Sequence, residues 1–327
     1  MNLMNQYRNV KYDLNLTRPY MVSWDVTNKC NMRCQHCFNN SGDSSFHNFI
    51  DELSEEEMIR TAYQISNLKP VQCCLCGGEP LLNESIYKII SILSQNNIMV
   101  NMVSNGLLLT EEVAIKLKRS GISRIQISVD GLGYQHDIFR NMPGAFEKAI
   151  KALQVLIDND IDYMISFCPN KINYKTFPLY VSYLNALNCK SIRMMPLLPL
   201  GRGRLNFDHL LLDSNETFIF IQMIHEMRKK YSNIEIEWGD PLEHLHLVLH
   251  NKRKHPFVMC IASNGDLSIT PYIPIVVGNV KYKTLEEYWN SGYNKIWGNK
   301  EVLSIIKNVK TIIDLSHFKS DKIEIML

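Results

Sequence analysis

Along the chain, short apolar runs alternate with longer segments whose apolar residues recur every three or four positions. The first run, residues 21–27, predicts a strand. A helix is predicted over 53–68: Met58, Ala62, Ile65 and Leu68 share one face, and Ser54 and Glu57 have capping-box spacing. Strand patterns follow at 71–76 and 98–103, separated by a helical segment around 84–93. A further helix is expected from near Thr110 to Gly121. Ile125, Ile127 and Val129 alternate with polar residues and predict a fourth strand. Phe146, Ala149, Ile150 and Leu153 form a helical stripe, and 161–168 and 191–195 read as strands around a helix over 174–187.

This alternation predicts parallel βαβ units. Six units are too few for an eight-fold barrel, so the expected fold is α/β, a partial (β/α)6 barrel with its chemistry at the carboxyl ends of the strands. Past Asn206 the pattern changes. An amphipathic helix over 213–230 precedes short strands, turns and a helix near 285–289. The expected division is a lead-in over 1–20, a core over 21–230 and a small α+β extension over 231–327.

Composition narrows the partners. Of 327 residues 46% are hydrophobic and 21% charged, enough for a sizeable core. Thirty-five basic and 33 acidic side chains leave a formal charge of +2, with no basic tract or aromatic–basic platform, so no nucleic-acid partner is expected. Residues 1–20 are polar and lack the apolar centre of a signal peptide, and no apolar run is long enough to span a bilayer. The expectation is a cytoplasmic protein without a membrane partner. In that compartment nine cysteines, an odd number in a long chain, point to thiols or metal ligands before disulfides.

Three of them stand close together in Cys30-Asn-Met-Arg-Cys34-Gln-His-Cys37, directly after the first predicted strand. Three thiolates at this spacing can wrap a cubane cluster and leave one iron open, whereas four cysteines saturate every iron. A zinc site completed by His36 or a distant residue is the alternative on this motif alone.

The motifs taken together resemble the radical SAM superfamily. Cys30-x3-Cys34-x2-Cys37 follows Trp24-Asp25-Val26-Thr27. Gly77-Gly78-Glu79-Pro80 ends the second strand. Ser104-Asn105-Gly106 follows the third, and Ser128-Val129-Asp130-Gly131 the fourth. His136, Asp137, Arg140 and Gly144 continue the pattern of the branch that modifies peptides and proteins. The similarity runs from about residue 21 to 204.

The resemblance implies one [4Fe-4S] cluster on Cys30, Cys34 and Cys37, its fourth iron chelated by S-adenosylmethionine (SAM). An electron, from a donor such as flavodoxin or ferredoxin, would split SAM to a 5′-deoxyadenosyl radical that takes hydrogen from the substrate. Gly77 and Gly78 would let the backbone approach the methionine part of SAM, and Glu79 would accept from its ammonium. Ser104, Asn105, Ser128, Asp130, Asn170 and Arg193 are further SAM-contact candidates. Ser104 and Ser128 serve equally as helix caps, Asp130 as a turn former and Arg193 as a salt-bridge partner. His36 is expected to pack beside the adenine and not to bind metal. Arg202 and Arg204, in Gly-Arg-Gly-Arg, are similar to a Pro-x-Gly-Arg element of the same branch, or form a solvated turn.

The extension is similar in part to the family's SPASM domain. Cys260 precedes Asn264-Gly265-Asp266, and Gly278-Asn279-Val280 precedes Leu285-Glu286-Glu287-Tyr288-Trp289. The next cysteine expected there is replaced by Thr270-Pro271-Tyr272, and none follows Cys260, so the extension is read as degenerate and cluster-free. Cys73, Cys74, Cys76, Cys168, Cys189 and Cys260 are read as small buried hydrophobes; an unusual second cluster is the opposing reading. Tyr134, Tyr272 and these thiols are all candidate hydrogen donors to a substrate radical. The expected substrate is a precursor peptide that is epimerised, crosslinked or oxidised. The alternatives are a small molecule or cofactor precursor and, further off, a non-catalytic metal-binding protein.

Overall fold

The computed structural model describes residues 16–45, 51–250, 255–318 and 322–327; most of the 1–20 lead-in lies outside them. In chain order the elements are β1 Met21–Thr27, α1 Glu55–Leu68, β2 Gln72–Gly77, α2 Ile86–Gln95, β3 Met99–Ser104, α3 Glu111–Ser120, β4 Arg124–Ser128, α4 Tyr134–Arg140, α5 Ala145–Asp158, β5 Tyr163–Phe167, α6 Phe177–Ala186 and β6 Ser191–Met194. There follow α7 Gly201–Leu210, α8 Ser214–Lys230, β7 Glu235–Trp238, α9 Glu243–Leu249, β8 Val258–Ile261, β9 Asp266–Ser268, β10 Ile275–Asn279, α10 Leu285–Ser291, α11 Lys300–Ile306 and β11 Ile323–Glu324.

The strands form one open sheet in the order β11-β10-β9-β8-β1-β2-β3-β4-β5-β6-β7. Strands β1 to β7 run parallel, each pairing with the next. With β8, parallel to β1 on its other side, the parallel run is two strands longer than the six expected units. β7 is only four residues long, and Ile236 is its one buried residue, too little to separate it from a turn by pattern. β8 then returns parallel to the other side of β1, pairing Ser23 with Cys260, and β9 and β10 fold back antiparallel. The extension therefore packs against the strand that leads into the cysteine motif.

Alternation on the strands explains the layers. Val22, Trp24 and Val26 are fully buried in the main core together with Ala62 and Ile65 of α1, while Ser23 and Asp25 face an inner cavity. Capping boxes fix three α-helix starts among the described residues: Ser54 with Glu57, Asp213 with Glu216, and Thr284 with Glu287. α3 ends as expected on Gly121, at φ +91°. Among the described residues no helix is long and apolar enough to cross a membrane.

Candidate functional site

The chain turns from β1 into the loop that carries Cys30, Cys34 and Cys37. Packing places these thiols in one small apolar cluster with Met32, Ala145, Leu107 and Met142. Burial pushes the Cys34 thiol up to about 11, against the pull of the Arg140 guanidinium, and the charges of Cys37 and Cys30 raise it further. Burial likewise raises Cys30. The charge of Cys37 opposes ionisation of both Cys30 and Cys34, a repulsion that a bound cation would relieve.

The loop is held from three sides. Gly77 and Gly78, at the end of β2, press against its start: Gly78 N–H donates to Thr27 C=O at 2.7 Å and Glu79 N–H to Lys29 C=O at 2.9 Å. A Cβ on Gly77 would lie 2.2 Å from the Thr27 oxygen, and one on Gly78 2.0 Å from the Lys29 oxygen. The close approach that requires these glycines is therefore to the cysteine loop itself. The Gly78→Ala variant is expected to cost about 1–3 kcal/mol of stability and to retain less iron after anaerobic reconstitution. Iron loading equal to the unmodified chain would show that the loop yields.

The second support removes one of the two sequence readings of Arg202 and Arg204. Gly201-Arg-Gly-Arg is not a solvated turn but the start of α7. Arg202 N–H donates to Cys37 C=O and its Nε to Cys34 C=O, both at 2.9 Å, and Nη2 donates to Ser41 C=O at 3.1 Å. Gly201, at φ +52°, leaves no room for a Cβ beside the Cys37 and Phe38 carbonyls.

The third support is Arg140 on α4. Its Nε and Nη2 donate to Asp130 Oδ2 at 2.8 and 2.7 Å, and Nη1 lies 3.9 Å from Cys34 Sγ. Asp130 Oδ1 accepts from Cys168 N–H at 2.7 Å. Asp130 is therefore engaged as the partner of a buried arginine, which its Asp-Gly sequence did not signal.

A cavity of about 260 Å³ opens beside the three cysteines. Gly77, Gly78, Ser104, Asn105, Ser128, Asp130 and His36 all line it. Glu79, Asn170 and Arg193 are not among its lining residues. Glu79 is fully buried behind the wall, where its carboxylate accepts from Ser104 Oγ (2.9 Å), Asn105 N–H (2.8 Å) and Leu81 N–H (3.3 Å). Burial raises its pKa against these three donors. Asn170 spends both side-chain groups on its own turn, donating to Cys168 C=O and accepting from Ile172 N–H. Arg193 is on β6, and its charge is felt by Cys74 of β2.

His36 stacks on Phe139, ring centroids 4.1 Å apart, with Nε2 3.8 Å from Asp130 Oδ2. Burial lowers its pKa to about 3, so the ring is neutral. Its buried Nδ1, together with Ser41 Oγ and Arg202 Nη1, has no hydrogen-bond partner. Orphaned polar atoms around three gathered thiols fit a site built for an additional group.

A larger cavity of about 650 Å³ lies between β1, β8, β9 and α7. It adjoins the smaller one at Phe38 and Tyr272, which line both, their ring centroids 6.3 Å apart. Of the candidate hydrogen donors, Tyr272 thus stands at the junction, Cys260 lines the larger cavity and Cys168 the smaller. Tyr134 is 71% exposed on α4 and lines neither.

Residues 24–181 match the radical SAM superfamily. They form a radical SAM domain. Enzymes of this family use a [4Fe-4S] cluster and SAM, and the three-cysteine pocket agrees with both. The chain is 24% identical over 84% of its length to the AdoMet-dependent heme synthase of Methanosarcina barkeri, of which the match covers 82%. It is 27% identical over 73% of its length to the sporulation killing factor maturation protein SkfB of Bacillus subtilis, of which it spans only 55%. In fold, the SAM-bound structure of Streptococcus suis SuiB superposes with a TM-score of 0.71 at 15% identity, over 97% of this chain and 81% of SuiB. Radical SAM enzymes of both peptide and cofactor biosynthesis are thus among its relatives.

Proposed function

We propose that this radical SAM enzyme acts on a peptide substrate. In this reading Cys30, Cys34 and Cys37 hold the cluster, and Gly77, Gly78, Ser104, Asn105, Ser128, Asp130 and His36 border SAM. Glu79 acts from behind by fixing Ser104 and Asn105, while Arg193 lies outside the pocket wall. When bound and reduced by a flavodoxin- or ferredoxin-type donor, cluster and SAM supply the 5′-deoxyadenosyl radical that removes a substrate hydrogen atom. The chain's own residues exclude water, since Met32, Cys34 and Ala145 close the site on its inner side. Arg140 and Arg202 hold the loop in place.

The observation that carries the peptide reading is a group of polar side chains set among the apolar lining of the adjoining larger cavity. Asn28, Asn39, Ser263, Asn264 and Asp25 face it, and amides and carboxylates suit a peptide's N–H groups. Its two cationic side chains are already engaged. Lys322 pairs with Asp266 at 2.5 Å, and Arg204 donates to the Pro199 and Phe318 carbonyls. A polycarboxylate such as a haem precursor would need free cations there. The second reading, a cofactor-precursor substrate, is favoured by the alignment with a heme synthase over most of both chains.

Anaerobic co-expression with each short open reading frame flanking the gene tests this. One peptide is expected to change. Loss of two hydrogens would mean a crosslink or desaturation. An unchanged mass in ordinary water with one deuterium gained in heavy water would mean epimerisation. SAM cleavage with no modified peptide would favour the cofactor-precursor reading.

A further inference from the structure

Three acidic side chains line the larger cavity: Asp25, Asp51 and Asp266. Asp51 sits at its exposed rim. Asp266 is neutralised by Lys322 and accepts from Asn264 and Asn279 Nδ2 at 2.9 and 3.0 Å. Asp25 differs from both. Among the described residues its only hydrogen bond is a long one, 3.4 Å from Asn39 Nδ2 to Oδ2, and no lysine or arginine pairs with it. The surrounding groups are uncharged or distant. Cys76 stands opposite on β2, Cys74 and Cys260 lie within reach of its charge, and Arg193 on β6 acts on Cys74. Asp25 is half-buried and faces the cavity; a carboxylate drawn this far from bulk water without a cation is costly, and chains ordinarily pair it.

The wall around Asp25 continues as a polar ladder. Asn39 Nδ2 also donates to Asn28 Oδ1 at 2.9 Å, and Asn28 Nδ2 to Ser263 Oγ at 2.9 Å. Asn28 and Asn39 bracket the loop that bears Cys30 and Cys37. A ligand gripped here lies across that loop from the smaller cavity, and an extended one reaches it past Phe38 and Tyr272.

We propose that Asp25 is the substrate anchor of this chamber and receives a cationic nitrogen group, an ammonium or guanidinium carried by the peptide. The identity of the ligand rests on the peptide reading above; the cation site does not. An apolar or anionic group would leave the carboxylate desolvated, whereas a cation supplies the missing partner and charge-assisted hydrogen bonds. Burial pushes the empty carboxyl up to about 7, and an entering cation favours its ionised form. Affinity for a permanently charged cation is therefore expected to rise with pH.

The test uses agmatine, a small molecule with one ammonium and one guanidinium, titrated calorimetrically into the full, cluster-reconstituted chain. Asp25→Asn, nearly isosteric, should weaken binding by about 30-fold or more. Asp25→Ala should do the same, thermal unfolding confirming that both variants fold. Between pH 6 and 8 the unmodified chain should gain about ninefold in affinity, as a group with a pKa of about 7 goes from about one-tenth to nine-tenths ionised; Asp25→Asn should stay flat. Equal binding by Asp25→Asn, or no binding by the unmodified chain, overturns the proposal. If agmatine behaves as expected but co-expression modifies no peptide, the anchor stands and the peptide reading alone falls. If a peptide is modified, Asp25→Asn should raise its KM far more than it lowers kcat, and unchanged kinetics would count against the anchor.

Discussion

Replacing Cys34 with alanine is expected to strip iron from the protein and to reduce 5′-deoxyadenosine formation to background. Cys34 is the most deeply buried of the three clustered thiols, and its backbone carbonyl is gripped by Arg202 Nε. The loop is thus preformed around it, and two remaining thiols leave two irons of a cubane without protein ligands. Residues that only support a metal ligand cost about 10–100-fold when removed; loss of a ligand should exceed that range. The control is Cys189→Ala. Cys189 is equally buried, but its thiol donates only to Ser191 C=O in the core. That variant should keep full iron and lose about 1 kcal/mol of stability. Iron analysis and absorbance after reconstitution decide the matter: full iron in Cys34→Ala would remove Cys34 from the ligand set.

The contrast between Cys34 and Cys189 also marks what the sequence made legible. The cysteine loop, Gly77-Gly78 and Ser104-Asn105 are local motifs at strand ends, and βα alternation alone places strand ends on one side of a sheet. Contacts between motifs were harder to read. Arg202 meets Cys34 across 168 residues, and its Gly-Arg-Gly-Arg run gives no helical pattern, because all four residues are glycine or arginine and offer no apolar face. Glu79 was legible as important and illegible in direction, since only the fold shows its carboxylate turned toward Ser104 and Asn105. The larger cavity is assembled from β1, the cysteine loop, α7 and the extension. β1 and the cysteine loop are contiguous, but α7 and the extension join them only in the fold, so the carboxyl of Asp25 reads as part of a strand until β8 is placed beside it.

Arg140→Met is expected to be the most destabilising single change at the site, by about 3–5 kcal/mol, because it leaves the Asp130 carboxylate buried without its cation. Asp130 is 1% exposed and Arg140 7%, so water cannot take over. The double variant Asp130→Asn/Arg140→Met should recover part of the loss, since the uncompensated charge is then gone, and the gap between the summed single losses and the double loss measures the coupling. The pH dependence gives the effect its sign. Burial raises the Asp130 pKa, but Arg140, His36, His136 and the Cys168 N–H outweigh it, and the pKa lies below its ordinary value. A carboxyl with a depressed folded-state pKa stabilises above its unfolded pKa, and that contribution is lost as pH falls through the folded one. The difference between the unmodified chain and Arg140→Met should therefore be full at neutral pH and shrink below about pH 4. Arg140 also helps hold the His36 and His136 pKa values down, so in Arg140→Met both rings protonate more readily and narrow the difference further as pH falls. Denaturant unfolding of both proteins at pH 7 and at pH 4 and below measures this. A difference that stayed constant would assign Arg140 to packing alone. A shrinking difference accompanied by weaker iron retention would tie the buried pair to the loop that carries Cys34, 3.9 Å from its guanidinium.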